Sequence, residues 1–366
     1  MSLLYLHGAG DLPLEPALAE LCVEVVPVDR NESEGALAVG RGGMNLGLIL
    51  WRAWRGTPVW AQAFRSSAAE RAVEDLIARA RPDVIQVEYQ VMAQFLPARR
   101  PAPAVLVIHE PAARVAENFA TTRTRALHIL NIVDRRAWAR FEKRAVHDAE
   151  RVVVFSPQDA AALDAARAPT IVPLTIPVPP EPLDPDGADT SLLLFVGNYG
   201  HPPNVDAALW LVREIFPLVR GAHPSARLAI VGEGPPRSLV DVAGEGVEVT
   251  GGVADVEPWL DRAAVVVVPL RLGGGMRVKT LEALAAGKAI VSTSLGVAGL
   301  DLEGNEVVIA DAAWDFAEQV NALLDSPDRR RALAQRARSW AQRALSAETE
   351  LQGYESLYAE LTTAKR

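Results

Sequence analysis

Cysteine is nearly absent from this chain of 366 residues: Cys22 stands alone. It can form no internal disulfide, and its apolar surroundings make it a small buried hydrophobe, in keeping with a reducing compartment. No run of about 18 apolar residues occurs, which excludes a conventional membrane-spanning helix. The beginning, MSLLYLHGAGDLPLEP, has no basic residue and its apolar stretch stops within six residues, so no signal peptide is expected there. Positive charge is also in deficit: the net charge of −9 argues against a general nucleic-acid binder, whose affinity rests on clustered Lys and Arg. The apolar fraction of 49% and charged fraction of 23% are those of a globular protein rather than a disordered one. A cytoplasmic location is expected, with a peripheral contact at the inner face of the membrane left open.

What is present is a regular alternation of short apolar strands with longer helical segments, the pattern of parallel α/β sheets. At this length the chain is expected to split into two domains. In the first half, strands are placed at Leu3–Leu6, Val23–Val28, Val84–Val87, Ala104–Ile108, Val152–Phe155 and Thr170–Val172. The segment IPVPPEPLDPDGADT, Ile176 to Thr190, is dense in proline, glycine and acid and reads as a linker at 176–190. It contains Asp184-Pro-Asp186, a spacing seen in metal sites, but a proline-rich connection does not hold ligands rigidly. No metal site is expected. A second α/β domain follows at 191–345.

The most informative stretch is AVVVVPLRLGGGMRVKTLEALAAGKAIVSTSLGVAG, Ala264 to Gly299. Val265 to Val268 form a doubly covered parallel strand. Gly273, Gly274 and Gly275 then turn the chain sharply and free backbone N–H groups to face an anion. A helix from about Arg277 to Ala286 starts directly after them, and its N-terminus carries about half a positive charge. Arg277 and Lys279 add two full charges. Glu282, three residues beyond Lys279, sits beside the lysine one turn further in. A carboxylate there suits the paired hydroxyls of a ribose, so the ordered set describes a nucleoside diphosphate along the loop and first helical turn. A glycine-rich turn alone would not specify this; the order of glycines, two cations and a carboxylate does.

The segment PLRLGGGMRVKTLEALAAGKAIVST resembles the nucleotide-sugar site of the family-four retaining glycosyltransferases, which have the GT-B fold of two Rossmann-like domains facing a cleft. It is most similar to a bacterial subgroup with the loop PLR-x-GGG-x-R-x-K-x-LEA. The resemblance covers nearly all of residues 190 to 360 and includes FVGN…PPN-x-DA. It implies a glycosyltransferase with a UDP- or GDP-sugar donor, no metal and retention of anomeric configuration. The acceptor would be a glycan, a lipid-linked or a small-molecule compound, bound by the first domain at 1–175. Many members carry two glutamates eight positions apart; Glu282 matches the second, whereas the first position is Gly274. Gly197 and Asn198 leave the first strand of the second domain, Asn198 standing where relatives often have a basic residue. The resemblance puts Val253 against the nucleobase and His109 toward the reacting sugar. It also implies that the last helix, about 346–366, packs back on the first domain. The catalytic candidates are thus His109, Arg277 and Lys279. Two other classes stay open, a nucleotide-sugar epimerase of the same fold and a non-catalytic binder of nucleotide sugar or glycan.

Other features carry less. The turn His7-Gly8-Ala9-Gly10 follows the first strand, where open α/β sheets bind ligands, yet a glycine pair is commonly only a turn. In MNLGLILWRAW the residues Trp51 and Trp54 are read as packing, with a membrane-surface contact as the other reading. Residues 110 to 147 are the most basic part of the chain, but acids interleave with them and much of this face is read as solvated helix. Asn204 or Asp206 is the expected cap of the helix after Asn198.

Overall fold

The computed structural model describes residues 1–8, 13–30, 46–112, 125–184 and 189–363. Ala9, Gly10, the segment 31–45, Arg114, Arg123 and Asp186 lie outside these described residues. The chain divides into two compact units, Met1–Val172 with Tyr354–Arg366 and Pro173–Gly353.

In the first unit, β1 (Ser2–His7) pairs in parallel with β2 (Glu24–Asp29). A second parallel sheet has the order β3 (Ile85–Glu88), β4 (Ala104–Val107), β5 (Arg151–Val154) and β6 (Thr170–Ile171). β4 is buried at every residue, as an apolar β-branched strand between covering helices should be. The helix Ser67–Ala80 opens on Ser66, whose hydroxyl accepts from the Ala69 N–H, and closes on Arg81 in the left-handed region; it packs beside β1 and β2. A long helix, Arg125–Asp148, feeds β5. The helix Ala347–Thr363 ends in this unit: Glu360 pairs with Arg151 and the Tyr358 hydroxyl donates to Gln86. Cys22 is half-buried rather than in the core, its thiol donating to the Leu18 carbonyl at 3.3 Å. It falls in the turn before β2, where little covers it. Trp51 and Trp54 are 52% and 69% exposed, so they do not pack as expected; the apolar residues that turn inward on their helix include Ile49 and Ala53.

The second unit has one six-stranded sheet, β12-β11-β10-β7-β8-β9. Its strands are β7 (Asp189–Val196), β8 (Arg227–Val231), β9 (Val247–Gly251), β10 (Ala263–Val268), β11 (Ile290–Ser292) and β12 (Val308–Ile309), all parallel. The chain enters at the centre, winds outward through β8 and β9, returns to β10 and winds the other way. This is the doubly wound order. Every residue of β10 is at most 3% exposed.

The proline-rich segment after Pro173 is tied down to this unit. Lys288, with no exposed surface, donates to the Asp184 carbonyl, and Arg338 donates to the carbonyls of Pro179 and Ala285. A buried cation needs such acceptors, and a prolyl segment, poor in N–H groups, has carbonyls to spare. No helix among the described residues is long and apolar enough to cross a membrane.

Candidate functional site

In the doubly wound sheet, β7 and β10 lie side by side while the connections that leave their carboxyl ends diverge, which opens a crevice at that edge. The exit of β7 is Gly197-Asn198. Gly197 is pressed against Gly232, at the end of β8, where a Cβ would lie 1.9 Å from the Gly197 carbonyl oxygen, so only glycine fits. The exit of β10 is the glycine loop. Gly273 and Gly275 have φ of 110° and 71°, a region disfavoured for residues with a Cβ; Gly274 does not. The helix Val278–Ala285 then begins, with Arg277 as its N-cap residue and no side chain capping it.

Arg277 is 5% exposed and turns back onto the loop, Nη1 donating to the Gly274 carbonyl at 3.0 Å and Nη2 to that of Gly273 at 3.1 Å. Its charge is therefore fixed at the crevice while it braces the turn. Lys279 is half-buried; its Nζ donates to Asn204 Oδ1 at 2.7 Å and stands 5.7 Å from the Phe195 ring centroid. Desolvation and the neighbouring Arg277 pull its pKa down to about 8, against the opposing pull of Glu282. Glu282 is exposed, yet crowding of its carboxyl by protein atoms raises its pKa, and Lys279 opposes the shift. Lysine and glutamate thus sense each other one helical turn apart, as their spacing requires.

Asn204 does not cap its helix. The helix Pro202–Trp210 starts earlier, on His201 and two prolines, which suit the first helical turn because they lack the N–H that would go unpaired there. Asn204 is instead the joint between the two exits: its Nδ2 donates to the Asn198 carbonyl at 2.7 Å while its Oδ1 holds Lys279. Asp206 makes a second tie, accepting from Arg271 at 2.9 Å, and Arg271 lies over the Trp210 ring at 4.7 Å. The Asn198 side chain accepts from the Gly200 N–H at 2.9 Å. His201, missed in the sequence, belongs here too: burial, then Lys279 and Arg277, lower its pKa. Its only sequence signal is its place after Gly200 in the β7 exit. Val253 leaves the edge strand β9 beyond Gly251 (φ 74°) and packs on the margin of the core. The strand it follows lies two strand spacings from β7, roughly 10 Å. Among the described residues no group of three or more His, Cys, Asp and Glu could hold a metal ion.

The first unit gathers a different cluster at the carboxyl ends of β3, β4 and β5. His109 follows β4, with Nε2 3.0 Å from Glu88 Oε2; its ring stacks on Tyr89 at 4.2 Å and meets the Phe155 edge at 5.0 Å. Tyr89 has a φ of 71°, uncommon for a residue with a side chain, and that turn lays its ring on the imidazole. Burial raises the Tyr89 pKa, and Glu110 adds to the effect. Glu88 is held in turn by Gln86 Nε2 at 2.6 Å, and Gln86 accepts from Tyr358. A hydrogen-bonded chain thus links the last helix to His109.

Residues 190–326 match the family model described as glycosyl transferases group 1. A phosphatidyl-myo-inositol mannosyltransferase of Propionibacterium freudenreichii is 30% identical over 111 residues, 30% of this chain and 27% of that protein. The chain spans about a third of the length of the curated relatives it matches. Among solved structures, a sucrose-phosphate synthase of Thermosynechococcus elongatus superposes with a TM-score of 0.68 at 17% identity, covering 99% of both chains. Anabaena HepE in complex with UDP and glucose gives 0.67 at 14% identity, over 96% of this chain and 91% of the other. Residues 190–326 of this chain are thus similar to the glycosyl transferases group 1, and the chain, built of two α/β units with parallel sheets, has the GT-B fold.

Proposed function

We propose that the protein transfers a sugar from a nucleoside-diphosphate sugar to a hydroxyl acceptor, with retention of configuration and without a metal ion. The observation that carries this reading is the glycine loop, Arg277, Lys279 and Glu282 at the switch point of the sheet, inside the matched segment. In the reaction the bond from the anomeric carbon to the diphosphate oxygen breaks, the acceptor oxygen bonds to that carbon, and its proton leaves with the nucleoside diphosphate. The chief demand is the growing negative charge on the departing diphosphate. Lys279, the loop N–H groups and the helix N-terminus answer it where it forms, while Arg277 keeps the loop in shape and adds its charge. Glu282 binds the ribose hydroxyls, and Val253 lies on the base. His109, oriented by Glu88 and Tyr89, contacts the reacting sugar.

UDP or GDP is the nucleotide; the UDP and glucose bound to HepE and the mannosyltransferase relative support one each. That relative also supports a lipid-linked acceptor, alongside a glycan or small molecule. A cytoplasmic protein, at most peripheral to the membrane, fits this set. Gly274 in place of a first glutamate favours one second reading, a binder without turnover. Incubating the full chain with a panel of labelled UDP- and GDP-sugars, with and without acceptors, tests both. A glycosylated acceptor supports transfer, an acceptor-independent isomer means an epimerase, and saturable binding without turnover means a binder. Retention is read from the anomeric coupling of the product.

A further inference from the structure

A cavity of about 650 Å³ opens in the first unit at the amino end of β5. Arg55, Arg140, Lys143, Arg144, Arg151 and Arg167 line it, against two carboxylates, Glu150 and Asp164. This is a local excess of positive charge in a chain whose net charge is −9. Both carboxylates are engaged, Asp164 with Lys143 at 2.7 Å and Glu150 with Arg100 at 2.7 Å. Arg151 pairs with Glu360.

Arg140 and Arg144 are held differently. Among the described residues their partners are backbone carbonyls: Arg140 Nη1 donates to Trp54 at 2.9 Å, and Arg144 donates from Nε to Arg140 at 3.2 Å and from Nη2 to Gly56. A neutral carbonyl orients a guanidinium without cancelling its charge. Gly56, at φ 88°, makes room for this, since a Cβ there would come within 3.0 Å of Arg144 Nη2. Like charges one turn apart on a helix repel, so two fixed cations at the wall of an open cavity call for an anion between them. The volume lies in the range of small-molecule sites, and forked guanidiniums match phosphate oxygens.

The cavity is remote from the sugar chemistry. β5 starts at Arg151 on the cavity wall, and the Phe155 ring that meets His109 follows its far end, roughly 13 Å along the strand. Beside the cavity, Arg55 lies over the Trp51 ring at 5.0 Å, and Trp51 and Trp54 are both exposed.

We propose that this cavity is a second anion site, which takes a phosphorylated group between Arg140 and Arg144. Two sources offer that chemistry, a soluble phosphate ester and a phospholipid headgroup; for the latter the exposed indoles would lie at the membrane interface. Calorimetry of the full chain with inorganic pyrophosphate should resolve a site that survives Lys279→Ala and loses tenfold or more in affinity in Arg140→Gln/Arg144→Gln. Arg144 also anchors Gly56, so folding of that variant is checked by its melting curve. Arg55→Glu/Arg167→Glu, at two exposed residues, should weaken the same site without touching a backbone bond.

Sedimentation with phosphatidylglycerol and phosphatidylcholine vesicles separates the sources. Binding to the anionic vesicles alone, with a blue shift of tryptophan emission that Trp51→Ser/Trp54→Ser removes, assigns the headgroup. Pyrophosphate binding without vesicle binding assigns a soluble ester. Binding to neither probe, or binding that both charge variants leave unchanged, overturns the proposal.

Discussion

Lys279 meets two demands with one ammonium: it joins the exits of β7 and β10 through Asn204, and it stands at the proposed diphosphate position. Lys279→Ala should lower nucleoside-diphosphate affinity roughly ten- to hundredfold, the loss of a charge-assisted hydrogen bond of about 1.5–3 kcal/mol. Because its pKa is pulled down to about 8, the free protein loses this charge as pH rises through 8. Affinity measured by calorimetry should therefore fall between about pH 7 and pH 9, and Lys279→Arg should flatten that fall. Affinity unchanged by Lys279→Ala, or flat with pH in the wild type, would remove the lysine from the site. Glu142 is a second titratable residue with consequences. It is 8% exposed, accepts from the Ala112 N–H, and burial raises its pKa from 4.5 to about 7. The folded state holds that proton more tightly than the unfolded chain, so the stability it provides is complete below pH 4.5 and is lost as pH rises through 7. Glu142→Gln keeps the acceptor and never ionises. It should raise stability at pH 8 by about 2–3 kcal/mol and change little at pH 5; equal melting shifts at both values would contradict this.

At the level of elements, the site residues lie where parallel strands end, and the turns there depend on glycine or on an uncommon backbone angle. Gly273 and Gly275 have positive φ in the loop after β10, and Tyr89 does the same after β3. The Tyr358–Gln86–Glu88–His109 chain shows an element far along the sequence shaping one of these ends. His109→Ala should lower kcat strongly and leave nucleotide affinity and melting temperature near normal, as expected for contacts felt mainly in the transition state. A purely structural histidine would give the reverse. Tyr358→Phe should produce a smaller loss of kcat at unchanged nucleotide affinity, because Glu88 loses part of its support and His109 its orientation. The strands were legible in the sequence because a buried parallel strand is a contiguous apolar run. The cap of the helix Pro202–Trp210 was misassigned to Asn204 or Asp206, since a cap and a cross-loop hydrogen bond ask for the same short polar side chain.

On the scale of the whole molecule, both units have parallel sheets, and residues with chemistry gather at carboxyl strand ends in each. Only the second falls within the matched family segment. Charge stabilisation of the diphosphate is assigned to Lys279, Arg277 and backbone N–H groups, so treatment with EDTA should leave glycosyl transfer intact. Activity that vanishes with the chelator and returns with magnesium or manganese would mean that the donor sits elsewhere. The segment 173–184 belongs to the second unit, held there by Lys288 and Arg338. Its composition showed a linker but not which side keeps it, because the two cations that hold it lie more than 100 residues further on.

The sequence alone determined what depends on near neighbours: the alternation of strands and helices, the glycine turn into a helix, and the placing of Lys279 and Glu282 one turn apart. These follow from local sterics and helical spacing, which act over a few residues. Tertiary structure decided the rest. It brought Asn204 to Lys279 across 75 residues and Tyr358 to Gln86 across 272, turned Arg277 onto its own loop, left Trp51, Trp54 and Cys22 outside the core, and opened a basic cavity at the amino end of β5. Whether a cation meets a carboxylate, a carbonyl or an open space depends on which distant segment folds against it, and no local pattern records that.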